Sequence, residues 1–453
     1  MKTLLLINPP QPYLVRPGMI QPMGLLCLAA QVREHALDYD VGIVDLCRLS
    51  IEDGIDAVQR EAATRGGRLT LGFTATSLEI PIINRVIDAL RGEGDQNWFT
   101  RNARIIVGGV GPSLNPEYIT HNADAVFVGD SDDALVGYLR GDSTGIGRVD
   151  RVMGKEVYLA IPPADLDALP YPALDLIGEF GPPTFFAGNR VFMPGNALMV
   201  SGSRGCPYNC AFCANRGLRE TGMRPLRYNS VQRVVEELEY VYRHYGVTHV
   251  RFGDEAVANP RRRAVELCEA ILDAGLNIAW QACIRTKPAD MELFELMYRA
   301  GCREVNLGVE SADQAVLEQL NKRATVEDAA AAIANAKQAG LQTRVLLMIG
   351  CPGETEETVD KNIAFIEKVQ PTLCSCTRFV PLPGSDIWKR PERYGVRILT
   401  RDLTKYNMYN WGPDGANPVH LLMEYTNLTH TQVCDNVTRM RDYLHGKNNA
   451  NRG

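Results

Sequence analysis

Residues 203–213 read SRGCPYNCAFC and place Cys206, Cys210 and Cys213 within eight positions of one another. A spacing this tight brings three thiols together from a single loop. Structural zinc sites are closed by four ligands, and iron–sulfur clusters normally take four cysteines. Three cysteines leave one iron of a 4Fe–4S cube with an open position, where a substrate or cosubstrate can bind. Three ordinary reduced cysteines are the alternative, although free cysteines rarely cluster in this way.

The sequence after residue 196 alternates between strand-like and helical patterns. Six apolar runs predict strands at 197–203, 249–253, 278–282, 304–309, 343–350 and 373–380. Helical patterns lie between them, at 230–244, 261–274, 289–299, 326–339 and 356–369. Six βα repeats predict an open (β/α)6 partial TIM barrel, because a closed eight-fold barrel takes about 250 residues. The cysteine loop follows the first strand, at the end where parallel barrels carry their chemistry.

The first 140 residues show a similar alternation. Apolar runs predict buried strands at 4–8, 41–45, 69–77, 103–109 and 124–130, with helices near 23–35, 51–63, 80–91 and 116–120. This order predicts a doubly wound, Rossmann-like parallel sheet with ligands at the carboxyl ends of its strands. Small or polar loops at 8–10, 74–77 and 108–111 would let a ligand approach the backbone closely. Glycines that merely turn the chain are the alternative.

The chain has 453 residues, which is too long for one ordinary core. We therefore predict an α/β protein with a Rossmann-like domain at 1–140, a linker at 141–196, a partial barrel at 197–385 and a C-terminal extension at 386–453. The linker is suggested by its many glycines and prolines. Neither GxGxxG nor GxxxxGK[ST] occurs, which weakens a nucleotide-binding interpretation.

Composition excludes several classes of partner. The net charge is −6, so nothing favours nucleic acid as a partner. No run approaches the 18 apolar residues of a membrane span, and the apolar start LLLIN is too short for a signal peptide. Twelve cysteines without a secretory signal indicate a reducing compartment. The sequence predicts a cytoplasmic protein with a small-molecule substrate.

The stretch at 203–213 resembles the signature of the radical S-adenosylmethionine (SAM) superfamily. In that family a CxxxCxxC loop, with an aromatic residue such as Phe212 before the last cysteine, holds a 4Fe–4S cluster. The resemblance implies that SAM chelates the fourth iron and is split to a 5′-deoxyadenosyl radical, which takes hydrogen from a substrate. It also implies an electron donor such as flavodoxin or ferredoxin, or a partner reductase.

Six further segments are similar to the radical SAM subfamily with an N-terminal cobalamin-binding-type domain. They are NPP at 8–10, PMGLLCLAA at 22–30, VGG at 107–109, DLDALPYPA at 165–173, GVES at 308–311 and GCPGETEET at 350–358. This resemblance implies that Glu310 and Ser311 contact the SAM ribose. It also implies that Gly353 lies where backbone approaches the adenine.

By the same resemblance, Asp254 or Glu255 takes the place that meets the methionyl amino group, and a carboxylate suits that cation. Arg285 takes the place that clamps the SAM carboxylate. Solvated loop acids and a surface salt bridge are the alternatives for these residues. Asp254, Glu255 and Tyr208 are the candidate catalytic residues, with simple packing as the alternative role of Tyr208.

The loops expected to contact cobalamin depart from the family pattern. GGVGPS stands at 108–113 where the family has GGPHxT, and GDSD stands at 129–132 where it has GEGE. The DxHxxG pattern, which supplies a histidine ligand, is absent. Cobalamin binding therefore stays open at this point, because sites rather than folds decide ligands.

The reaction depends on that cofactor. With cobalamin, a substrate radical would gain a methyl group; without it, a radical next to a hydroxyl would expel water. The overall layout resembles the aminoglycoside-processing members of the family. We therefore predict a lyase that dehydrates an aminosugar or aminoglycoside intermediate in antibiotic biosynthesis. A cobalamin-dependent C-methyltransferase is the alternative, and a non-catalytic iron–sulfur protein is a third.

Three further groups of residues are weaker candidates. Asp386, together with Asp254 and Glu255, would suit a cationic aminosugar. Cys374 and Cys376 alternate along one strand, either as hydrogen donors or cluster ligands or, more simply, as small buried residues. His420 is a candidate acid–base group, with packing as its alternative role.

Overall fold

Two largely parallel sheets organise the chain in the computed structural model, one of seven strands and one of six. The structure describes residues 2–14, 17–18, 21–65, 68–92, 98–178, 180, 186, 190–406 and 422–450. His420 lies outside these ranges. No helix in the described ranges has the length and apolar character that a bilayer span requires.

The first sheet contains β1 (Lys2–Asn8), β2 (Tyr39–Asp45), β3 (Leu69–Thr74), β4 (Ala103–Gly108), β5 (Ala125–Val128), β6 (Ile146–Val152) and β7 (Lys155–Ala160). Its helices are α1 (Met23–His35), α2 (Ile51–Arg65), α3 (Ile80–Arg91), α4 (Trp98–Asn102), α5 (Val110–Leu114) and α6 (Asp132–Arg140). The strand order is β2-β1-β3-β4-β5-β7-β6. Strands β1 and β3 are almost wholly buried because helices cover both faces, which explains their continuous apolar sequences.

The structure differs from the sequence prediction at two places in this half. The predicted helix at 116–120 is a 3-10 turn, Pro116–Tyr118, which is too short for an α-helix. The segment assigned to the linker contains β6 and β7, an antiparallel hairpin that completes the sheet. Its turn, Met153 and Gly154, has positive φ at both residues, as two-residue hairpin loops require. The edge strand β6 is mostly exposed and therefore has no apolar run to reveal it.

The second sheet has the strand order β15-β14-β13-β12-β11-β8. Its strands are β8 (Asn196–Val200), β11 (Val247–Phe252), β12 (Ala279–Arg285), β13 (Cys302–Glu310), β14 (Gln342–Ile349) and β15 (Leu373–Arg378), with a small ladder of β9 (Ser203–Arg204) and β10 (Arg227–Tyr228) beside them. All six strands run parallel, and β8 and β15 form the open edges. This curled half-barrel confirms the predicted α/β fold class, a Rossmann-like sheet followed by a (β/α)6 partial barrel.

Helices alternate with the barrel strands and cover their outer face. They are α7 (Ala214–Glu220), α8 (Val231–Tyr245), α9 (Arg261–Asp273), α10 (Met291–Arg299), α11 (Gln314–Gln319), α12 (Val326–Gln338) and α13 (Thr358–Val369). The C-terminal region adds α14 (Asp386–Lys389), the two-stranded β16 (Val396–Ile398) and β17 (Met423–Tyr425), and α15 (His430–Ala450). Apolar residues of α15, among them Val437 and Met440, join the barrel core.

Candidate active site

The cysteine loop leaves β9 and leads directly into α7. The amide of Cys213, the residue that precedes α7, donates a hydrogen bond to the Cys210 carbonyl oxygen at 3.2 Å. Gly205 enters the loop with φ +90°, and a Cβ there would lie 2.9 Å from the Pro225 carbonyl oxygen. Only glycine fits this entry, so the backbone itself holds the three cysteines in one compact turn.

Residues outside the motif secure the loop. Arg219, on α7, donates hydrogen bonds to the carbonyl oxygens of Cys206 and Tyr208 and to the side chain of Asn209. From the other side, the Asn321 side chain donates to the Asn209 carbonyl oxygen at 2.7 Å. The sequence analysis did not find Arg219 or Asn321. The sequence offers no signal for them beyond their nearness to the cysteines and to α11.

The thiols suit a cluster in which each cysteine binds a different iron. Cys210 is buried, and Cys206 and Cys213 are half-buried. Burial raises the pKa of the Cys206 thiol and raises that of Cys213 to about 12. Thiols of this kind become thiolates when a metal coordinates them. Among the described residues, no group of three or more His, Cys, Asp or Glu side chains is placed as ligands of a single metal ion. Three thiols from one loop are the donor type that an iron–sulfur cluster takes.

The structure separates the two acids that follow β11. Asp254 is 7% exposed, and it accepts hydrogen bonds from the Gly202 amide at 2.9 Å and from the Ser203 hydroxyl. Burial raises its pKa to about 6. Glu255 is half-buried; its Oε1 lies 3.5 Å from Arg224 Nη1, and its Oε2 is buried without a hydrogen-bond partner. Glu255 therefore has a free acceptor atom, Oε2, whereas both oxygens of Asp254 bind the backbone and side chain just after β8.

Arg285 and Tyr208 lie directly beside the cysteines. The guanidinium of Arg285 stacks on the Tyr208 ring at 3.9 Å and donates from Nη1 to Cys210 Sγ at 3.3 Å. Its Nη2 donates to the Lys322 carbonyl oxygen. The Tyr208 hydroxyl donates to Asn259 Oδ1 at 3.1 Å, and burial raises the pKa of this phenol. Tyr208 thus supports Arg285, and its hydroxyl is occupied.

The remaining predicted SAM contacts lie at the carboxyl ends of β13 and β14. Glu310 ends β13 and forms an ion pair with Lys322 at 2.6 Å. Ser311 is fully buried, and its hydroxyl accepts a hydrogen bond from the Asp313 amide. Gly353 follows β14 with φ +86°. Phe212 is half-buried, with its ring 5.9 Å from Lys322 Nζ. The structure leaves Glu310 and Gly353 partly accessible but uses Ser311 in a turn.

Two weaker candidates are placed away from this site. Asp386 is 3% exposed and is neutralised by Arg390 and by Arg216 at 3.1 Å, so it does not offer a free charge to a cationic substrate. Cys374 is buried in the core beneath α15, and Cys376 packs against that core. The two cysteines therefore face the helices, as small buried residues, and not the cysteine loop.

A cavity of about 370 Å³ lies between the carboxyl edge of the first sheet and the first strands of the barrel. Gly72, Thr74, Gly109 and Gly129 line it from the first sheet, and Ser203 and Gly253 line it from the barrel. A Cβ on Gly109 would lie 2.7 Å from the Ala75 carbonyl oxygen, and one on Gly253 would lie 2.6 Å from Ser201 Oγ. At these glycines the backbone itself therefore forms the cavity wall, and no side chain projects from them into the cavity.

Some buried polar atoms of the cavity lining have no hydrogen-bond partner among the described residues. Gln31 is 5% exposed; its Nε2 donates to Asp133 at 2.8 Å, but its Oε1 has no partner. Glu237, on α8, also lines the cavity, and burial raises its pKa to about 7. The lining includes no histidine among the described residues, and His35 and His121 are exposed. Gln31 Oε1 is thus a buried acceptor in this cavity, and an amide or hydroxyl donor on a ligand would satisfy it.

Family models match both halves of the chain. The model for the B12 binding domain matches residues 14–139, and the model for the radical SAM superfamily matches residues 200–366. The chain contains a B12-binding domain and a radical SAM domain. The radical SAM domain implies a 4Fe–4S cluster and SAM, which confirms those two predicted cofactors. The B12-binding domain supports cobalamin as the third.

Several proteins are similar to this chain in sequence. An uncharacterized methyltransferase from Pyrococcus horikoshii is 29% identical over 400 residues, which are 85% of this chain and 81% of that protein. The anaerobic magnesium-protoporphyrin IX monomethyl ester cyclase of Rubrivivax gelatinosus is 25% identical over 67% of this chain and 55% of its own length. Cytidylyl-2-hydroxyethylphosphonate methyltransferase of Streptomyces wedmorensis is 29% identical over 43% of this chain and 37% of its own length.

Two solved structures share the fold. TsrM from Kitasatospora setae, a radical SAM methyltransferase with cobalamin and a [4Fe-4S] cluster bound, has a TM-score of 0.65 and 19% identity over 89% of this chain and 78% of its own. OxsB, a cobalamin-dependent radical enzyme with aqua-cobalamin and SAM bound, has a TM-score of 0.70 and 16% identity over 97% of this chain and 66% of its own. The predicted dehydration, and the narrower identity of a paromamine C3′ diol-dehydratase of apramycin biosynthesis, find no support among these relatives.

An ion-pair network joins the B12-binding domain to the radical SAM domain. Asp132, in the divergent GDSD loop, pairs with Arg204 at 2.6 Å, just before the cysteine loop. Asp130 pairs with Arg227 and lies 3.8 Å from Arg224, which in turn reaches Glu255. The departure from GEGE therefore keeps the acidic character of this loop, and its carboxylates bind arginines of the other domain. Arg224 and Arg227 lie outside every motif that the sequence analysis identified, and Arg204, inside the stretch 203–213, had been given no role.

Proposed function

We propose that this protein is a cobalamin-dependent radical SAM methyltransferase that acts on a carbon atom of a small molecule. The observation that carries the proposal is the interdomain cavity, which the glycine loops of the B12-binding domain and the barrel residues Ser203 and Gly253 line together. Gly253 immediately precedes the acids Asp254 and Glu255. A corrinoid in this cavity would therefore face the SAM site directly.

Different residues of the chain would bind the cluster and SAM. Bound together, the cluster and SAM supply a 5′-deoxyadenosyl radical, and cobalamin supplies the methyl group. Cys206, Cys210 and Cys213 would hold three irons of the cluster. Glu255 would accept hydrogen bonds from the methionyl ammonium through its unpartnered Oε2, because a buried carboxylate oxygen without a partner favours a charged donor. Arg285 would border the cluster and the SAM carboxylate.

The glycine loops and Gln31 would bind the corrinoid by shape and hydrogen bonding. Gln31 Oε1 is a buried acceptor that an amide or hydroxyl donor would satisfy. No histidine lines the cavity among the described residues. The methyltransferases among the relatives support methyl transfer over loss of water. A small-molecule substrate, aminosugar or other, and a flavodoxin- or ferredoxin-type electron donor are parts of this proposal.

The proposal is tested with anaerobically reconstituted protein, hydroxocobalamin, a low-potential reductant and SAM carrying a deuterated methyl group. Transfer of the label to the corrinoid, with release of S-adenosylhomocysteine, is expected even before a substrate is known. A panel of aminosugars and other small molecules then serves to find a product that carries the labelled methyl group. Protein that binds no corrinoid and yields a dehydrated product with 5′-deoxyadenosine would overturn the proposal.

A further inference from the structure

Glu310 has an unusual backbone conformation at the end of β13. Its φ is +72°, in the left-handed region that residues with a side chain seldom adopt. The pairing of β13 with β14 also shifts register between Gly308 and Glu310. Bulges of this kind turn a side chain away from the direction that regular alternation would give it. The strand thus ends in a local distortion that aims the Glu310 carboxylate.

Lys322 holds that carboxylate from the loop after α11. Lys322 is 4% exposed, and its Nζ lies 2.6 Å from Glu310 Oε1. Among the described residues it makes no other ion pair. A lysine this deeply buried requires a charged partner, because an isolated ammonium is costly away from water. The ion pair occupies Oε1 and leaves Oε2 as the second acceptor of the same carboxylate.

Hydrogen bonds to the cysteine loop and to Arg285 fix the backbone around Lys322. Its neighbours Asn321 and Arg323 both have positive φ, +50° and +53°. The Asn321 side chain donates to Asn209 in the cysteine loop, and the Lys322 carbonyl oxygen accepts from Arg285. Strained residues of this kind cluster where the surrounding structure fixes a functional geometry. The loop that carries Lys322 is therefore tied to the cluster site on two sides.

We infer that Lys322 is a positioning residue for SAM, which fixes the Glu310 carboxylate so that Oε2 accepts hydrogen bonds from the ribose hydroxyls. The inference rests on the assignment of Glu310 to the SAM ribose, and so on SAM as the cosubstrate in the proposed function. A carboxylate acceptor also binds hydroxyl donors more strongly than a neutral acceptor does. Lys322 itself need not touch SAM.

The experiment compares two ligands on iron-loaded protein: S-adenosylhomocysteine and its analogue without the 2′- and 3′-hydroxyls. In Lys322→Met we expect the Kd of the first to rise about tenfold, as loss of a charge-assisted hydrogen bond predicts, and that of the second to change much less. Lys361→Met is the matched control, because Lys361 also pairs with a buried carboxylate, Asp313, at 2.8 Å. The control should leave both constants unchanged.

Equal loss of affinity for both ligands, or no loss for either, would overturn the inference, because a merely structural lysine would not discriminate by ribose hydroxyls. If Lys322→Met loses its iron or fails to fold, Glu310→Gln provides the same test: it should weaken binding of S-adenosylhomocysteine selectively. A Glu310→Gln protein that prefers S-adenosylhomocysteine over the analogue by the same factor as the wild type would equally contradict the inference. Both constants are measured without turnover, so a protein that binds SAM but transfers no methyl group would refute only the proposed function.

Discussion

The cysteine loop and the interdomain cavity are built in opposite ways. In the loop, the chemistry lies in side chains at a fixed spacing, and Arg219, Asn321 and Arg285 hold them from outside. In the cavity, the important feature is the absence of side chains, at glycines on both domains. The first kind of site is specified by what a short segment contains, and the second by what several distant segments leave out.

This difference predicts different responses to substitution. A cysteine removed from the loop has no substitute as a cluster ligand, because the side chains beside it already hold the turn through hydrogen bonds. The cavity, in contrast, is lined by segments from both sheets, so no single residue supplies its binding energy. Three substitutions test this contrast, in order of decreasing expected effect.

The largest effect is expected for Cys206→Ala. Removal of one of three thiolates should abolish the cluster, and with it all formation of 5′-deoxyadenosine from SAM. Iron analysis and chromatography of the nucleoside products check this outcome. Cys434→Ala is the control, because Cys434 is half-buried on α15, and it should retain full iron content. A Cys206→Ala protein with normal iron and turnover would show that the loop is not the cluster site.

A smaller and selective effect is expected for Gly72→Val. Gly72 lines the cavity, and a Cβ there would lie 2.9 Å from the side chain of Leu6, which lines the same cavity. Valine at this position should therefore displace the cavity wall, and we expect cobalamin affinity to fall about tenfold, which corresponds to about 1.4 kcal/mol. Gly42→Val, on β2 of the same sheet and outside the cavity lining, is the matched control, with a Cβ 3.1 Å from Leu5.

Corrinoid affinity is measured by the visible spectrum of protein titrated with hydroxocobalamin, and iron content is measured in parallel. Gly72→Val should lose affinity and keep its iron, whereas Gly42→Val should keep both. Equal corrinoid affinity in the two variants would mean that the cavity is not where cobalamin binds. Loss of iron in Gly72→Val would mean that the two regions are not independent.

The smallest effect is the pH dependence of stability due to Glu237. Burial raises its pKa to about 7 in the folded protein, with Arg233 opposing, against an ordinary value of 4.5. Between these values the folded protein keeps the proton and the unfolded chain releases it. Stability due to Glu237 therefore falls as pH rises through this range and is constant above it. The expected change is on the order of 1 kcal/mol.

The thermal unfolding midpoints of metal-free wild type and of metal-free Glu237→Gln are measured across this pH range. The quantity of interest is the wild-type midpoint minus the variant midpoint at each pH. The difference should fall from pH 4.5 to about pH 7 and then level off. Glu236→Gln, one position earlier on the exposed side of α8, should show no such trend. A flat difference for Glu237→Gln would place this carboxyl in water rather than in the cavity wall.

Most of the architecture was predictable because buried parallel strands leave a continuous apolar signal. The strands predicted from Leu4 to Val380 all occur, with ends shifted by a few residues. The hairpin at Ile146–Ala160 was missed because β6 is largely exposed and has neither an apolar run nor a regular alternation. Residues such as Lys322 and Arg224 were missed for another reason: in the sequence, a charged residue in a loop looks the same whether it is buried or solvated.

The sequence alone determined the three thiolates, their shared loop and the βα repeats, because covalent spacing and hydrophobic periodicity are local properties. Only the tertiary structure decided that Asp254 is occupied while Glu255 keeps a free oxygen, and that arginines neutralise Asp386. It also decided that the glycines of two domains enclose one cavity. Burial and ion pairing join residues far apart in the chain, and the packing of the two domains alone brings them together.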